Sequence, residues 1–275
     1  MAHASEIRTA LVTGSTDGVG RVVAKMLGKE GLRVLVHGRD RERGRAVVEE
    51  IAAAGGAAEF LEADLASLAE VRRLASAVEG TVGSLDILIN NAGIGTAGAE
   101  RQTSAEGYEL RFAVNYLAAF LLTRLLLPLL RRSAPSRIVN VSSGGQQAID
   151  FDDVMLTSGY SGMRAYCQSK LAQILLTFDL AEELAGTGVT ATCLHPATYM
   201  DTTMVRRAGV KPWSSVDEGA AAIMNLARSA SLAGKSGLYF NGMNQARAHA
   251  QAYDLDARHR LRELILQLTD LAPGG

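Results

Sequence analysis

The sequence predicts an α/β fold, one parallel, doubly wound sheet with helices on both faces. Three observations carry that reading. Four short apolar runs, at 9–13, 33–37, 58–62 and 85–89, alternate with helical patterns, and such alternation builds parallel sheets with right-handed crossovers. The first run passes through a glycine-rich turn straight into a helix. No repeat or low-complexity linker divides the 275 residues, and 48% of them are apolar, so one large core and a single domain over 1–275 are expected.

Charge and cysteine content narrow the function classes. Lys and Arg total 28 against 29 Asp and Glu, a net charge of −1. That balance argues against nucleic acid or an anionic membrane as the main partner. Cys167 and Cys193 fit neither a disulfide framework nor a metal-ligand pattern. No metal is expected, and a reducing cytoplasm suits both thiols. The opening stretch MAHASEIRTALVTG holds no apolar run of signal-peptide length. The most apolar later stretch, 117–130, is interrupted by Arg124 and Pro128. It falls short of the ~20 apolar residues of a membrane span and is expected as a buried helix.

The first half reads as a nucleotide site. After strand 9–13 come Gly14-Ser15-Thr16-Asp17-Gly18-Val19-Gly20, then Val22, Val23, Met26 and Leu27 at helical spacing. Strand, glycine turn and helix start suit a pyrophosphate: glycine lets the backbone come close, and the helix N-terminus offers N–H donors and a positive dipole end. The alternative is an ordinary βα turn, since the spacing is Gly-x3-Gly-x-Gly. Strand 33–37 ends in Gly38-Arg39-Asp40. An acid there would hold the ribose 2′-OH of NAD, and a basic residue the 2′-phosphate of NADP. Gly38 stands where the acid is expected and Arg39 follows, so NADP(H) is preferred over NAD(H), with Asp40 as the opposing sign. Helix 41–54 stops at Gly55-Gly56. Strand 58–62 leads to Asp64-Leu65, and Ser67 to Glu70 form a capping box for the next helix. Asp64 either binds an adenine amino group or stabilises that helix start. Strand 85–89 runs into Asn90-Asn91-Ala92-Gly93, whose small residues leave room for a ligand. The two asparagines alternatively serve the sheet edge.

The second half carries the chemistry. Thr103 to Glu106 reads as a capping box for a helix running to about Arg131, with Asn115 near its middle. Asn is disfavoured inside helices, so it either bends the helix and frees a carbonyl or satisfies neighbouring backbone. Strand 137–141 ends in Ser142-Ser143-Gly144-Gly145, where a serine beside a cofactor can bond a reacting oxygen, or is simply a turn residue. A 22-residue segment with Asp150, Asp152, Asp153 and Tyr160 separates Ser143 from Tyr166. It is expected as a pocket-lining loop with solvated acids. Helix 162–186 then presents Tyr166 and Lys170 on one face, one turn apart. A phenol titrates near pH ~10. An ammonium one turn away favours the phenolate, and the pair can pass a proton to or from a carbonyl or alcohol oxygen. The spacing alone equally describes a packed Tyr beside a surface Lys. Strand 190–194 ends at His195-Pro196-Ala197-Thr198-Tyr199.

In sequence order these motifs resemble the short-chain dehydrogenase/reductase family, classical type. They are Thr13-Gly14-x3-Gly18-x-Gly20, Asp64-Leu65, Asn90-Asn91-Ala92-Gly93, Asn115, Ser143, Tyr166-x3-Lys170 and the Pro196 turn, over roughly 9–205. The long segment before Tyr166, the Tyr160-Ser161 run and the terminal helix are more similar to the retinol-dehydrogenase-like branch. The N-terminal membrane anchor frequent in that branch is not expected here. The resemblance implies a Rossmann-type sheet of about seven strands, in the order 3-2-1-4-5-6-7. It makes Tyr166 the proton donor or acceptor and Lys170 the holder of the nicotinamide ribose, lowering the phenol's pKa. Ser143 would orient the substrate oxygen, and Asn115 would anchor a water in a proton relay. Gly14, Ser15, Thr16, Asp17, Gly18, Val19 and Gly20 would surround the pyrophosphate. Asp64 and Leu65 would meet adenine, and Asn91, Ala92 and Gly93 the adjoining ribose, with Arg39 and Pro196 also on the cofactor. Two departures stand out. Ala197 replaces the usual glycine after the proline, and Asp201 occupies the place of a threonine that helps hold the carboxamide, with Thr202 one further on.

Residues 197–216 are expected as a substrate loop in which Tyr199, Met200 and Trp213, with Met204 and Val205, either meet an apolar substrate or pack on the core. Ser215 to Glu218 form another capping box, 238–240 a last strand, and 246–271 a terminal helix that packs back or meets a partner subunit. Helices at 104–131 and 162–186 commonly pair subunits in this family, so a homodimer or homotetramer is expected. The implied activity is hydride transfer between NADP(H) and a carbonyl or secondary alcohol of an apolar small molecule. Its rivals are a redox-neutral epimerase or dehydratase on the same scaffold, and a non-catalytic cofactor-sensing protein.

Overall fold

The computed structural model describes residues 7–98 and 100–272, so the stretch Met1–Glu6 discussed above lies outside them. Eight strands form one sheet in the order β3-β2-β1-β4-β5-β6-β7-β8. They are β1 (Thr9–Val12), β2 (Arg33–Gly38), β3 (Ala57–Glu62), β4 (Ile87–Asn90), β5 (Ser136–Val141), β6 (Val189–His195), β7 (Leu238–Asn241) and β8 (Asn244–Ala246). The first seven run parallel in the expected order. The eighth is an addition: the tight turn at Gly242, with φ +59°, returns the chain antiparallel to β7. The terminal helix therefore starts later than expected, at Leu255, where Asp254 caps it.

The helices are α1 (Gly18–Lys29), α2 (Arg41–Ala53), α3 (Leu68–Thr81), α4 (Leu110–Arg132), α5 (Gly162–Glu183), α6 (Thr203–Arg207), α7 (Val216–Arg228) and α8 (Leu255–Leu268). Strand alternation feeds two cores. Val12, Val36, Ile89 and Val139 face α1, α2 and α7. Leu11, Leu35, Leu88 and Ile138 face α3, α4, α5 and α8. Each such side chain, fully withdrawn from water, contributes about 1.5–3 kcal/mol.

Three local expectations are corrected. Thr103 to Glu106 do not cap α4. Glu106 reaches across to accept from the Leu68 N–H at the start of α3 (2.7 Å), while Glu109 caps α4 through Phe112 N (2.7 Å). Residues Ala113–Leu117 of α4 form a π-helical turn around Asn115. α4 is long and apolar enough to cross a membrane, but 83% of its most apolar window is buried in this fold, as befits a core helix. Last, α5 ends at Glu183, before Gly186 and Gly188, both at positive φ.

The terminal helix packs back on its own domain. Leu261 and Ile265 enter the core. Arg258, 4% exposed, pairs with Asp179 of α5 at 2.6 Å and with Glu182 at 2.8 Å. α5 is consequently buried continuously from Cys167 to Leu180.

Candidate active site

The sheet order reverses between β1 and β4, and the crevice outside their C-terminal ends is where such folds bind ligands. The turn after β1 is made by close backbone approach. A Cβ at Gly20 would stand 2.3 Å from Asn91 Nδ2 and 2.4 Å from Gly14 O, so only glycine fits. Asn91 Nδ2 donates to Thr13 O (2.9 Å) and Gly14 O (3.1 Å), and Thr13 Oγ1 accepts from Asn91 and Ala92 N–H (both 3.0 Å). Asn91 thus braces the turn.

Two residues expected to surround the pyrophosphate are otherwise engaged. Ser15 is fully buried, donating to Val12 O (2.7 Å) and accepting from His37 N–H (3.0 Å). Its hydroxyl ties β1 to β2 and does not face the crevice. Asp17 caps α1 by accepting from Gly18 N–H (2.7 Å), accepts from Thr203 Oγ1 (2.8 Å) and faces Arg43 at 3.6 Å. A carboxylate only accepts hydrogen bonds, so Asp17 positions the turn instead of binding an anion. The cap leaves the Val19 and Gly20 N–H groups without an acceptor among the described residues. This donor pair at the start of a twelve-residue helix fits a dinucleotide pyrophosphate. His37 Nδ1 accepts from Gly14 N–H (3.1 Å), and burial lowers its pKa to about 4.

At the far end of the crevice, Thr16 packs where a Cβ of Gly38 would stand (2.5 Å). Arg39 is exposed and 3.5 Å from Asp64. Asp64 accepts from Ala66 N–H (3.0 Å) and shapes the turn, whereas Ser67 caps α3 and Leu65 is buried. Asp40 caps α2 through Arg43 N–H (3.0 Å).

The reacting end lies between β5 and α5. Ser143 Oγ accepts from Gly145 N–H (3.0 Å), and Ser143 Oγ and the Tyr166 ring lie side by side there, 3.6 and 3.8 Å from the Cβ position of Gly145. Burial pushes the Tyr166 pKa up, and the neighbouring Ser143 hydroxyl offsets this in part. The expected effect of Lys170 on the phenol is absent in the chain alone. Lys170 Nζ lies 6.0 Å from the Tyr166 ring centroid and donates instead to Val141 O (2.8 Å) and Gln173 Oε1 (2.9 Å). Burial lowers its own pKa to about 7. Asn115 Oδ1 accepts from Ile94 N–H (2.8 Å), and its Nδ2 donates to Ile94 O (3.1 Å) and Ser169 Oγ (2.9 Å). A Cβ on Gly93 would stand 3.2 Å from Asn115 Oδ1 and 3.3 Å from Lys170 Nζ, so these groups converge there.

The mouth is formed by 196–214. Tyr199 takes a left-handed φ of +45°, which absorbs the extra residue after Pro196. Thr202, and not Asp201, therefore comes to the phosphate turn, 3.4 Å from the Cβ position of Gly18. Asp201 turns outward to pair with Arg206 (2.7 Å). Tyr199 is near enough to Tyr166 to raise its pKa, and it stacks edge-on with Trp213 at 5.3 Å. Trp213 is 75% exposed. Met200 is a correction: its sulfur sits on Gly219 of α7, in the core and not the pocket. Met204 rests on Gly95.

A clamp that local patterns did not reveal holds the pocket floor. Arg111, 4% exposed, donates to Gly95 O (2.8 Å), Ala97 O (2.7 Å) and Tyr160 Oη, and Tyr160 donates to Glu109 (2.9 Å). The only hint in the sequence is Glu-x-Arg at the threshold of an apolar helix. In the same loop Asp153 accepts from Thr157 N–H and Ser158 N–H, an acid spent on a turn.

A family model described as short chain dehydrogenase matches residues 8–212. Dehydrogenase/reductase SDR family member 13 of Bos taurus is 38% identical, over 97% of this chain and 74% of its own length. Retinol dehydrogenase 13 of Homo sapiens is 37% identical, over 92% of this chain and 82% of its own. Among solved structures, the Pseudomonas aeruginosa RhlG/NADP active-site complex has a TM-score of 0.70 at 32% identity, covering 85% of this chain and 94% of that one. A short chain dehydrogenase from Burkholderia cenocepacia in complex with NADP has a TM-score of 0.71 at 28% identity, over 86% and 97%. Sheet order, glycine turn, the Ser143 and Tyr166 side chains together at Gly145 and these likenesses agree: the chain belongs to the short-chain dehydrogenase/reductase family, in its retinol-dehydrogenase-like branch, and is a nicotinamide-dependent oxidoreductase of alcohol and carbonyl groups.

Proposed function

We propose that the protein interconverts an apolar carbonyl compound and its secondary or primary alcohol with NADP(H), and that Tyr166 moves the proton. The single observation that carries the mechanism is the placement of Ser143 Oγ and the Tyr166 ring side by side at Gly145. When bound, the dinucleotide supplies or takes up hydride. In the reductive direction Ser143 holds the substrate oxygen and Tyr166 protonates the alkoxide that develops there. Lys170 holds a ribose hydroxyl and recharges Tyr166, with Asn115 beside it.

The NADP(H) preference is supported by Arg39 and Arg43 near the end of β2, by Gly38 at the strand end, and by Asp40 being occupied as a helix cap. It also agrees with the NADP named in the two solved relatives. An apolar substrate is supported by the exposed Tyr199, Met204 and Trp213 around the mouth, and by the retinol named for a relative. Both thiols are free and buried, which fits a reducing cytoplasm. Self-association through α5 is not favoured, because α8 already covers that helix.

The test follows absorbance of NADPH and NADH with aldehydes and ketones of rising chain length. NADPH should be consumed faster than NADH, and rates should climb with apolar length. Tyr166→Phe should lower kcat by about 10²–10⁴ while NADPH binding stays within about twofold. Product formed without net NADPH consumption would instead favour the epimerase or dehydratase reading. Full activity in Tyr166→Phe would sink the assignment.

A further inference from the structure

Lys170 is enclosed by the protein, and among the described residues its amine has two partners, both acceptors: Val141 O at 2.8 Å and Gln173 Oε1 at 2.9 Å. Gln173 follows three residues later on the same face of α5 and is itself 0% exposed. Its Nε2 is buried without a partner among the described residues. A leucine would fill such a core position without leaving a donor unmatched. The amide is therefore present for its oxygen.

We propose that Gln173 is a positioning residue for Lys170, holding the amine at the crevice floor in its ammonium form. An ammonium has three tetrahedrally disposed N–H groups. With two fixed by Val141 and Gln173, the direction of the third is fixed as well. Gly93 and Asn115 approach the amine from another side, a Cβ on Gly93 lying 3.3 Å from Nζ and 3.2 Å from Asn115 Oδ1. The Tyr166 ring centroid lies 6.0 Å from the amine, and burial keeps its phenol neutral at physiological pH. Burial is what lowers the Lys170 pKa, with no carboxylate to oppose it. A neutral acceptor in hydrogen-bond contact is thus what retains the proton. The consequence for turnover rests on the functional reading above, but the contact itself does not.

Two measurements keep these separate. The first needs no cofactor: unfolding by denaturant between about pH 6 and pH 10, for wild type, Gln173→Leu and Gln173→Glu, each with and without Lys170→Met. A lysine whose folded pKa lies below its unfolded value adds stability as pH rises between the two. The pH at which the Lys170-dependent part begins should move down by about one unit in Gln173→Leu and up by about one unit in Gln173→Glu. Gln173→Asn, too short to reach the amine, substitutes for the leucine variant if that fails to fold, and should move the same way. The second titrates NADPH by its fluorescence across the same range. The pH midpoint for loss of affinity should shift in the same two directions. A uniform loss of stability or affinity with unmoved midpoints would overturn the proposal. If wild type binds no NADPH, the cofactor reading fails, and the first measurement still decides the role of Gln173.

Discussion

The phosphate turn and the substrate mouth sit at two ends of one crevice and are built in opposite ways. The turn is backbone held by buried groups: Thr13, Asn91, Ser15 and His37 each bond main-chain atoms of the turn or its strands. The mouth is side chains over solvent: Tyr199 and Trp213 stack edge-on, with Trp213 N–H donating to Tyr199 O at 2.9 Å. A pyrophosphate is the same in every reaction, so close backbone fit is affordable there. A mouth made of exposed side chains can change shape at little cost to folding, which suits the part that selects a substrate.

This contrast can be broken by experiment. The largest effect belongs to Gly20→Ala. Its Cβ meets Asn91 Nδ2 and Gly14 O at 2.3 and 2.4 Å, neither of which can move freely. Denaturation should register a loss of about 3 kcal/mol or more, and NADPH binding should vanish. If the variant folds and binds normally, the turn is not the rigid end. Next comes His37, whose pKa burial lowers from 6.5 to about 4. The unfolded chain takes up this proton first, so stability is full above pH 6.5 and falls as pH drops towards 4. The loss at acid pH is on the order of 3 kcal/mol. His37→Asn keeps an acceptor for Gly14 N–H, and its stability should lack this acid slope. The smallest effect is at the mouth: Trp213→Ala should change stability by less than about 0.5 kcal/mol. It should raise KM for long apolar substrates severalfold with kcat unaltered. A large stability loss there would erase the distinction.

Much of the fold was legible because its signals are local. Apolar runs marked seven strands, the family resemblance supplied their order, and strand, glycine turn and helix placed the cradle. What was not legible depends on partners distant in the chain. Glu106 looks like the end of its own capping box but caps α3, 38 residues away. Ser15 lies in a phosphate motif yet faces inward, because His37 N–H claims its hydroxyl. Met200 sits among pocket residues but is drawn into the core by the space over Gly219. The Arg111 clamp joins three segments that no periodicity connects. β8 was missed because three residues are too few to show alternation. The Tyr166–Lys170 spacing was plain, but the direction of the amine was set by Gln173 and Val141.

The short run Thr202–Met204 touches both banks of the crevice: Thr202 at Gly18, Thr203 on Asp17, and Met204 on Gly95. It lies like a strap between the turn after β1 and the segment after β4. A dinucleotide bound beneath that strap would leave only as it lifts, and its residence time would then depend partly on a threonine hydroxyl. Thr203→Val should quicken dinucleotide release by about threefold, the worth of one modest hydrogen bond, as followed by stopped-flow displacement. An enzyme latched this way trades speed of reloading for a drier reaction.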